Sequence, residues 1–390
     1  MKVYIVDGYL TRPAWLEINL DNFEHNMKEI LNKISSNTKI MSIVKSDGYR
    51  LGAIPLAHIS RNLGIDYFGV ATLSEAIALR EEFNDINILT LGYTPEYLFD
   101  LAIENNIISS MYSLEEAKKL NNHALSLNKI SRIHIAFDSG MSRIGFVNND
   151  ESLREIIEIF KLSNIKVEGI FSHFAACDSD PKFTESQFNI FTEFIKKIEE
   201  LGFKFEYKHI ANSSSVLSHR EYDLNMVRPG IIQYGLTDNG NPPKNYNLKE
   251  VFELKAEISA IRYLKKGETV GYERTYTCKR DTKVVTIPVG YADCYPRILS
   301  GKVSVLINGI KCPQIGLICM DQMMIDATNV DCKIGDEVVL LGKQNGNELR
   351  VSDICKLSGD CETSFITHFN KRLPKHYFKN NKLVHISDII

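Results

Sequence analysis

Lys45 stands in Ile43-Val44-Lys45-Ser46-Asp47-Gly48-Tyr49, at the end of an apolar run that starts at Lys39 and just ahead of a glycine-containing turn. An amine placed where a buried strand meets a loop is poorly solvated. Desolvation penalises the ammonium form, lowers its pKa and leaves a better nucleophile toward an aldehyde, which is the chemistry of a Schiff base. A single lysine at a strand end more often snorkels its head into water. What favours the chemical reading is the company it keeps: Asp138 to Arg143, His173, Asn212-Ser213, Arg228 to Ile231 and, far down the chain, Gly271-Tyr272-Glu273.

Something must bring these scattered residues together. Short β-rich apolar runs recur at 39–45, 66–71, 87–91, 107–112, 131–137, 166–172, 206–211 and 230–234, separated by amphipathic stretches. In the first of these stretches Asp21 and Glu24 read as a capping box, with Phe23, Met27, Ile30 and Leu31 on one face. Eight βα units over residues 12–245 argue for a (β/α)8 barrel. In such a barrel the carboxyl ends of the strands converge on one face, and Lys45, Asp138 to Arg143, His173, Asn212-Ser213 and Arg228 to Ile231 all fall at or beside those ends. A breaker-rich run, Asp238-Asn239-Gly240-Asn241-Pro242-Pro243-Lys244-Asn245, then reads as a linker. Residues 246–390 carry short β-rich runs with turns at Lys266-Gly267 and Asn308-Gly309, as expected of a mostly β domain. Residues 1–11 are expected to add a strand that packs on this domain.

The bulk properties remove several classes of function. With 46 Lys and Arg against 49 Asp and Glu, a net charge of -3 and no basic stripe interleaved with aromatics, a nucleic-acid partner is not expected. No apolar run approaches a membrane span or a signal peptide, so the cytoplasm is the expected location. The eight cysteines form no CxxC pair and the ten histidines no HExxH pattern, which leaves neither a disulfide scaffold nor a metal site to expect.

The order of motifs resembles that of the alanine racemase family, pyridoxal-phosphate enzymes built as a barrel plus a β domain. The resemblance runs over nearly the whole chain. It is carried by Arg12-Pro13-Ala14-Trp15-Leu16-Glu17-Ile18, Val44-Lys45 with Tyr49, and Asp138-Ser139-Gly140-Met141-Ser142-Arg143-Ile144-Gly145. It continues through His173-Phe174-Ala175, Asn212-Ser213, Met226-Val227-Arg228-Pro229-Gly230-Ile231 and Tyr234-Gly235. In the β domain it includes Gly271-Tyr272 with Thr275-Tyr276, Gly290-Tyr291-Ala292-Asp293 and Ile318-Cys319-Met320-Asp321-Gln322.

The resemblance implies that Lys45 carries pyridoxal 5'-phosphate and then serves as one catalytic base. It implies that Tyr272, from the other subunit of a homodimer with shared sites, is the base on the opposite face, because racemisation removes a proton from one side and returns it to the other. Tyr49, Leu91, His173, Ser213, Arg228, Gly230 and Ile231 would hold the cofactor, with Arg228 toward the pyridine nitrogen. Arg143 and Met320 would contact the substrate carboxylate. Asp178, His209, Tyr291, Arg297 and Thr363 would line substrate entry. The implied reaction interconverts L- and D-alanine, supplying D-alanine for cell-wall peptidoglycan.

Three positions depart from the family pattern. Ala136 stands where many relatives carry a lysine that braces the arginine matching Arg143. Thr363 stands where a tyrosine is usual, and Leu317 where an arginine commonly lines the entry route. The last two changes enlarge or discharge the route to the substrate, so a racemase of serine or another small amino acid is a rival reading. A decarboxylase of the same architecture is disfavoured by the intact Gly271-Tyr272 and Met320 segments. A non-catalytic pyridoxal-phosphate-binding protein would have no use for Tyr272.

Overall fold

The structure is a computed structural model that describes residues 12–238 and 243–388. Eight parallel strands form the first sheet, in the spatial order Tyr207–His209, Ile165–Phe171, Ser131–Ala136, Ile108–Met111, Asn87–Thr90, Tyr67–Val70, Lys39–Ile43 and Met226–Val227. Tyr67–Val70 and Ile108–Met111 are buried along their whole length, as strands covered by helices on one face and by the barrel interior on the other must be. The two ends of the sheet meet where Arg228 N–H donates to Ala211 O at 3.0 Å, closing the barrel.

The expected eighth strand at 230–234 is corrected. The strand is Met226–Val227, and Ile231–Tyr234 is a single 3-10 turn that ends at Gly235, whose φ of 80° no β-branched residue would adopt readily. The apolar run misled because those side chains are buried in a turn, against Phe23 and Tyr49.

Intervening helices begin where their sequences offer caps. Thr72 and Glu75 form a capping box ahead of Leu73–Glu82, and Asp180 caps Pro181–Glu200 with proline in its first turn. The first helix also requires a correction. It spans Leu20–Lys33 with Asn19 as its cap, the Asn19 side chain accepting Asn22 N–H. Asp21 lies inside the helix, and Asp21 and Glu24 instead pair with Lys379.

The second sheet places Ala14–Asn19 between Phe252–Glu257, antiparallel, and Lys375–Lys379, parallel. The opening segment of the expected barrel region therefore belongs to the second sheet, and the barrel's own strands start at Lys39. The expected strand at 1–11 lies outside the described residues. One hydrophobic core runs through both units, joining Ile40, Met41 and Tyr49 to Phe252, Val285 and Tyr377. That continuity fixes the β domain against the barrel face that carries Lys45.

Candidate active site

Lys45 follows directly on the first barrel strand, and its neighbours fold in an unusual way. Ser46, Asp47, Gly48 and Tyr49 have φ of 55°, 55°, 60° and 55°, and Arg50 has φ 70°, giving one left-handed turn. Each non-glycine residue there costs roughly 1 kcal/mol or more. Side chains from elsewhere hold it. Ser46 N–H donates to Glu75 Oε1 at 2.7 Å, Asp47 accepts Ala53 N–H at 3.0 Å and Lys375 Nζ at 2.6 Å, and Tyr377 Oη donates to Leu51 O at 3.1 Å. The turn sends Lys45 and Tyr49 into one cavity of about 520 Å3 at the carboxyl end of the barrel.

Electrostatics in this cavity favour neutral bases. Lys45 is reachable from solvent, yet the enclosing walls and the positive charges of Arg143 and Arg228 hold its ammonium below its ordinary pKa, against a smaller opposing pull from Glu75. His173 is pushed down to about 3, first by burial and then by Arg228, Arg143 and Lys45, so it is neutral at any physiological pH.

Arg228 is the hub. Its guanidinium donates to Ser172 O at 2.7 Å, Ile210 O at 3.1 Å, His173 Nδ1 at 3.1 Å and His209 Nδ1 at 2.8 Å. Burial and Arg143 push it down to about 9, still charged at neutral pH. A guanidinium only donates, so both imidazoles accept at Nδ1 and carry their proton on Nε2. His209 donates that Nε2–H to His134 Nδ1 at 2.8 Å, and His134 in turn meets Tyr67 Oη at 3.1 Å. His209 is therefore not at substrate entry as expected. It is wholly buried in the barrel interior, behind Arg228.

At the other side of the cavity Gly230 N–H donates to Ser213 Oγ at 2.8 Å, with Ile231 next in chain. A Cβ on Gly230 would lie 2.7 Å from Tyr49 Oη, so glycine keeps this concavity open. Burial, and to a lesser extent Asp238, raises the Tyr49 phenol above its ordinary pKa and keeps it a hydroxyl. Hydroxyls and main-chain N–H groups at one end, a fixed guanidinium further in and a depressed lysine at the mouth are a donor set that suits a phosphorylated pyridine aldehyde.

Asp178, Leu91, Arg143 and Thr363 border the same cavity. Tyr272 and Met320 do not. They border a second cavity of about 660 Å3 on the β domain, where Tyr272 is 67% and Met320 52% exposed. Tyr291 is also exposed, and Arg297 reaches Glu273 Oε1 at 3.2 Å. Leu317 packs its main chain beneath Gly271. Ala136 is buried, and among the described residues no carboxylate pairs with Arg143, whose loop is shaped by Asp138 accepting the N–H groups of Gly140, Ser142 and Arg143.

Residues 18–238 match the family model for the alanine racemase N-terminal domain, and residues 251–377 that for the alanine racemase C-terminal domain. The chain belongs to the alanine racemase family. Among its relatives is alanine racemase 1 of Clostridium acetobutylicum, 40% identical over 382 residues that cover 97% of this chain and 99% of the relative. The structure of alanine racemase from Clostridium difficile 630 superposes with a TM-score of 0.93 at 37% identity, covering 97% of this chain and 99% of that one. A histidine racemase from Leuconostoc mesenteroides subsp. sake superposes with a TM-score of 0.86 at 26% identity, covering 95% and 99%. Membership makes the chain an isomerase of the pyridoxal-phosphate racemase class. Sequence reasoning had missed His134, Tyr67, Glu75, Asp238, Glu362 and Lys375, all of which touch residues of this site.

Proposed function

We propose that this member of the alanine racemase family interconverts L- and D-alanine with pyridoxal 5'-phosphate held in the barrel cavity, and that it works as a homodimer. The observation that carries the reading is the placement of Lys45 among Tyr49, Ser213, Gly230 and Arg228 in one cavity. Lys45 would attach the cofactor, Tyr49, Ser213 and the main chain at Gly230 and Ile231 would hold its phosphate, Leu91 and His173 would flank it, and Arg228 would face its ring. When bound, the cofactor supplies the electron sink for a developing carbanion.

This chain's residues then have defined tasks. The depressed amine of Lys45 takes or returns the substrate Cα proton on one face. Tyr272 of the partner subunit does so on the other, which explains why Tyr272 and Met320 stand exposed on a separate face of the same chain. Arg143, with no carboxylate partner among the described residues, is available to the substrate carboxylate. Neutral His173 accepts from Arg228 at Nδ1 and so offers an Nε2–H. Arg228 stays cationic at neutral pH and keeps its proton while donating, which limits how far charge is drawn away from the substrate. D-alanine made this way would serve cell-wall peptidoglycan. No described helix is long and apolar enough to cross a membrane, in keeping with a cytoplasmic site of action.

Thr363 and Leu317 support a second reading, a racemase of serine or another small amino acid. The Thr363 hydroxyl already donates to Asp238 Oδ2 at 2.9 Å, so it would offer a substrate hydroxyl room rather than a donor. Chiral product analysis of pure protein with pyridoxal phosphate, given L-alanine or L-serine and using Lys45→Ala as control, tests both. Dominant D-alanine is expected. Dominant D-serine would replace the first reading by the second, and neither product would defeat both.

A further inference from the structure

The last segment of the barrel and a C-terminal helix grip each other by their carboxylates. Glu362, 2% exposed, accepts Thr237 N–H at 2.9 Å and Asp238 N–H at 3.2 Å. Asp238 in return accepts Thr363 N–H at 2.7 Å and Thr363 Oγ1–H at 2.9 Å. Each carboxylate thus satisfies main-chain donors of the segment that carries the other. The Asp238 carboxylate sits at the N-terminus of helix Glu362–Thr367, where the free N–H groups favour negative charge. Asp238 is held at φ 56°, a left-handed conformation that a non-glycine residue keeps only when its surroundings enforce it.

The clasp is also a partition. Thr237, Asp238 and Thr363 border the barrel cavity, while Thr237 and Glu362 border a separate polar cavity of about 800 Å3 between barrel and β domain. Thr363 meets the barrel cavity beside Asp238, to which its hydroxyl donates. The arrangement carries a hazard. Asp238 is close enough to raise the Tyr49 phenol, so its charge reaches the Tyr49, Ser213 and Gly230 concavity.

We propose that Glu362 is a positioning residue for the cofactor-phosphate pocket: by fixing the main chain at Thr237 and Asp238 it holds the Asp238 carboxylate against Thr363 and keeps that negative charge out of the phosphate's place. This rests on the reading of the barrel cavity as the pyridoxal-phosphate site. Without Glu362 the main chain at Asp238 loses its acceptor, the left-handed turn relaxes and the carboxylate swings into repulsion with a phosphate dianion.

The test is spectroscopic titration of apoprotein with pyridoxal phosphate, reading a dissociation constant rather than turnover. Glu362→Ala is expected to weaken binding about tenfold, the scale of one charge-assisted hydrogen bond. The deciding variant is Glu362→Ala/Asp238→Ala, which should bind about threefold more tightly than Glu362→Ala alone, because the freed charge is gone. A merely structural clasp would make the double variant equal to or worse than the single one. Should Glu362→Ala fail to fold, Glu362→Gln carries the test with a loss of about threefold, since its amide oxygen still accepts. Wild-type binding with single variants unchanged within twofold, or a double variant that binds no more tightly than Glu362→Ala, overturns the proposal alone. A wild-type chain that does not bind pyridoxal phosphate overturns the reading of the cavity and the proposal with it.

Discussion

Lys45 and Tyr272 of one chain border different cavities, the first at the mouth of the barrel and the second on the exposed face of the β domain. On the proposed reading the two act on opposite faces of one substrate, which they cannot do from there within a single chain. If partners complete each other's sites, inactive Lys45→Ala and Tyr272→Phe chains should complement when dissociated and reassembled together. Random assortment leaves one intact site in half of the dimers, so activity should return to about a quarter of wild type. A mixture as inactive as its parents would refute the shared site.

Three histidines buried in the barrel give stability a definite pH dependence. His134 and His173 are pushed down to about 3 and His209 well below its ordinary value, in each case chiefly by burial. Folded, they are neutral. Unfolded, they titrate near 6.5. Between those values the unfolded chain binds more protons, so this stability is fully present above about pH 6.5 and is lost as pH falls, at roughly 1.4 kcal/mol per pH unit for each histidine. Thermal unfolding of the apoprotein should therefore show a lower Tm at pH 5.5 than at pH 7.5, and His134→Gln should narrow that gap. An unchanged gap would show that His134 does not share in it.

Gly230 gives the most local prediction. A methyl group there would meet Tyr49 Oη at 2.7 Å, so Gly230→Ala should weaken pyridoxal-phosphate binding by about tenfold, through displacement of the tyrosine. Gly230→Ala/Tyr49→Phe removes the clash and should recover part of the loss. Titration of the three proteins decides it, and a single variant that binds like wild type would place the phosphate elsewhere.

Thr363 can be tested by restoring the bulk that the family pattern carries. Thr363→Tyr narrows the cavity and should lower kcat/KM for serine relative to alanine by about tenfold, the usual worth of a small steric difference. A ratio that does not move would make this position neutral to substrate choice.

The barrel was legible because parallel strands buried on both faces appear as plain apolar runs, as in Tyr67–Val70. Met226–Val227 escaped notice since two residues make no pattern, and its neighbours Ile231–Tyr234 are equally apolar for a different reason. Asp21 looked like a cap because capping residues cluster near helix starts, but strand Ala14–Asn19 runs directly into the helix and leaves Asn19 at the boundary. Lys45 and Arg228, which share one cavity, were readable from motifs, whereas Tyr272 borders another. His209 was misplaced, because whether a polar residue on a barrel strand faces the entry route or the interior depends on the closed barrel and not on local pattern. Nothing near Asp238 or Glu362 announces their mutual grip across 124 residues of chain.

The position of Ala14–Asn19 inside the second sheet bears on how the chain is made. This strand leaves the ribosome early, yet both of its partners, Phe252–Glu257 and Lys375–Lys379, come more than two hundred residues later. At the usual pace of synthesis it waits roughly 10 to 50 s for the first of them. Throughout that time an apolar strand with both edges open hangs from a nascent barrel and offers chaperones a free edge to hold. Truncating the chain before Lys375 would leave the edge that pairs with Lys375–Lys379 open for good, so the C-terminal residues guard solubility as well as shape.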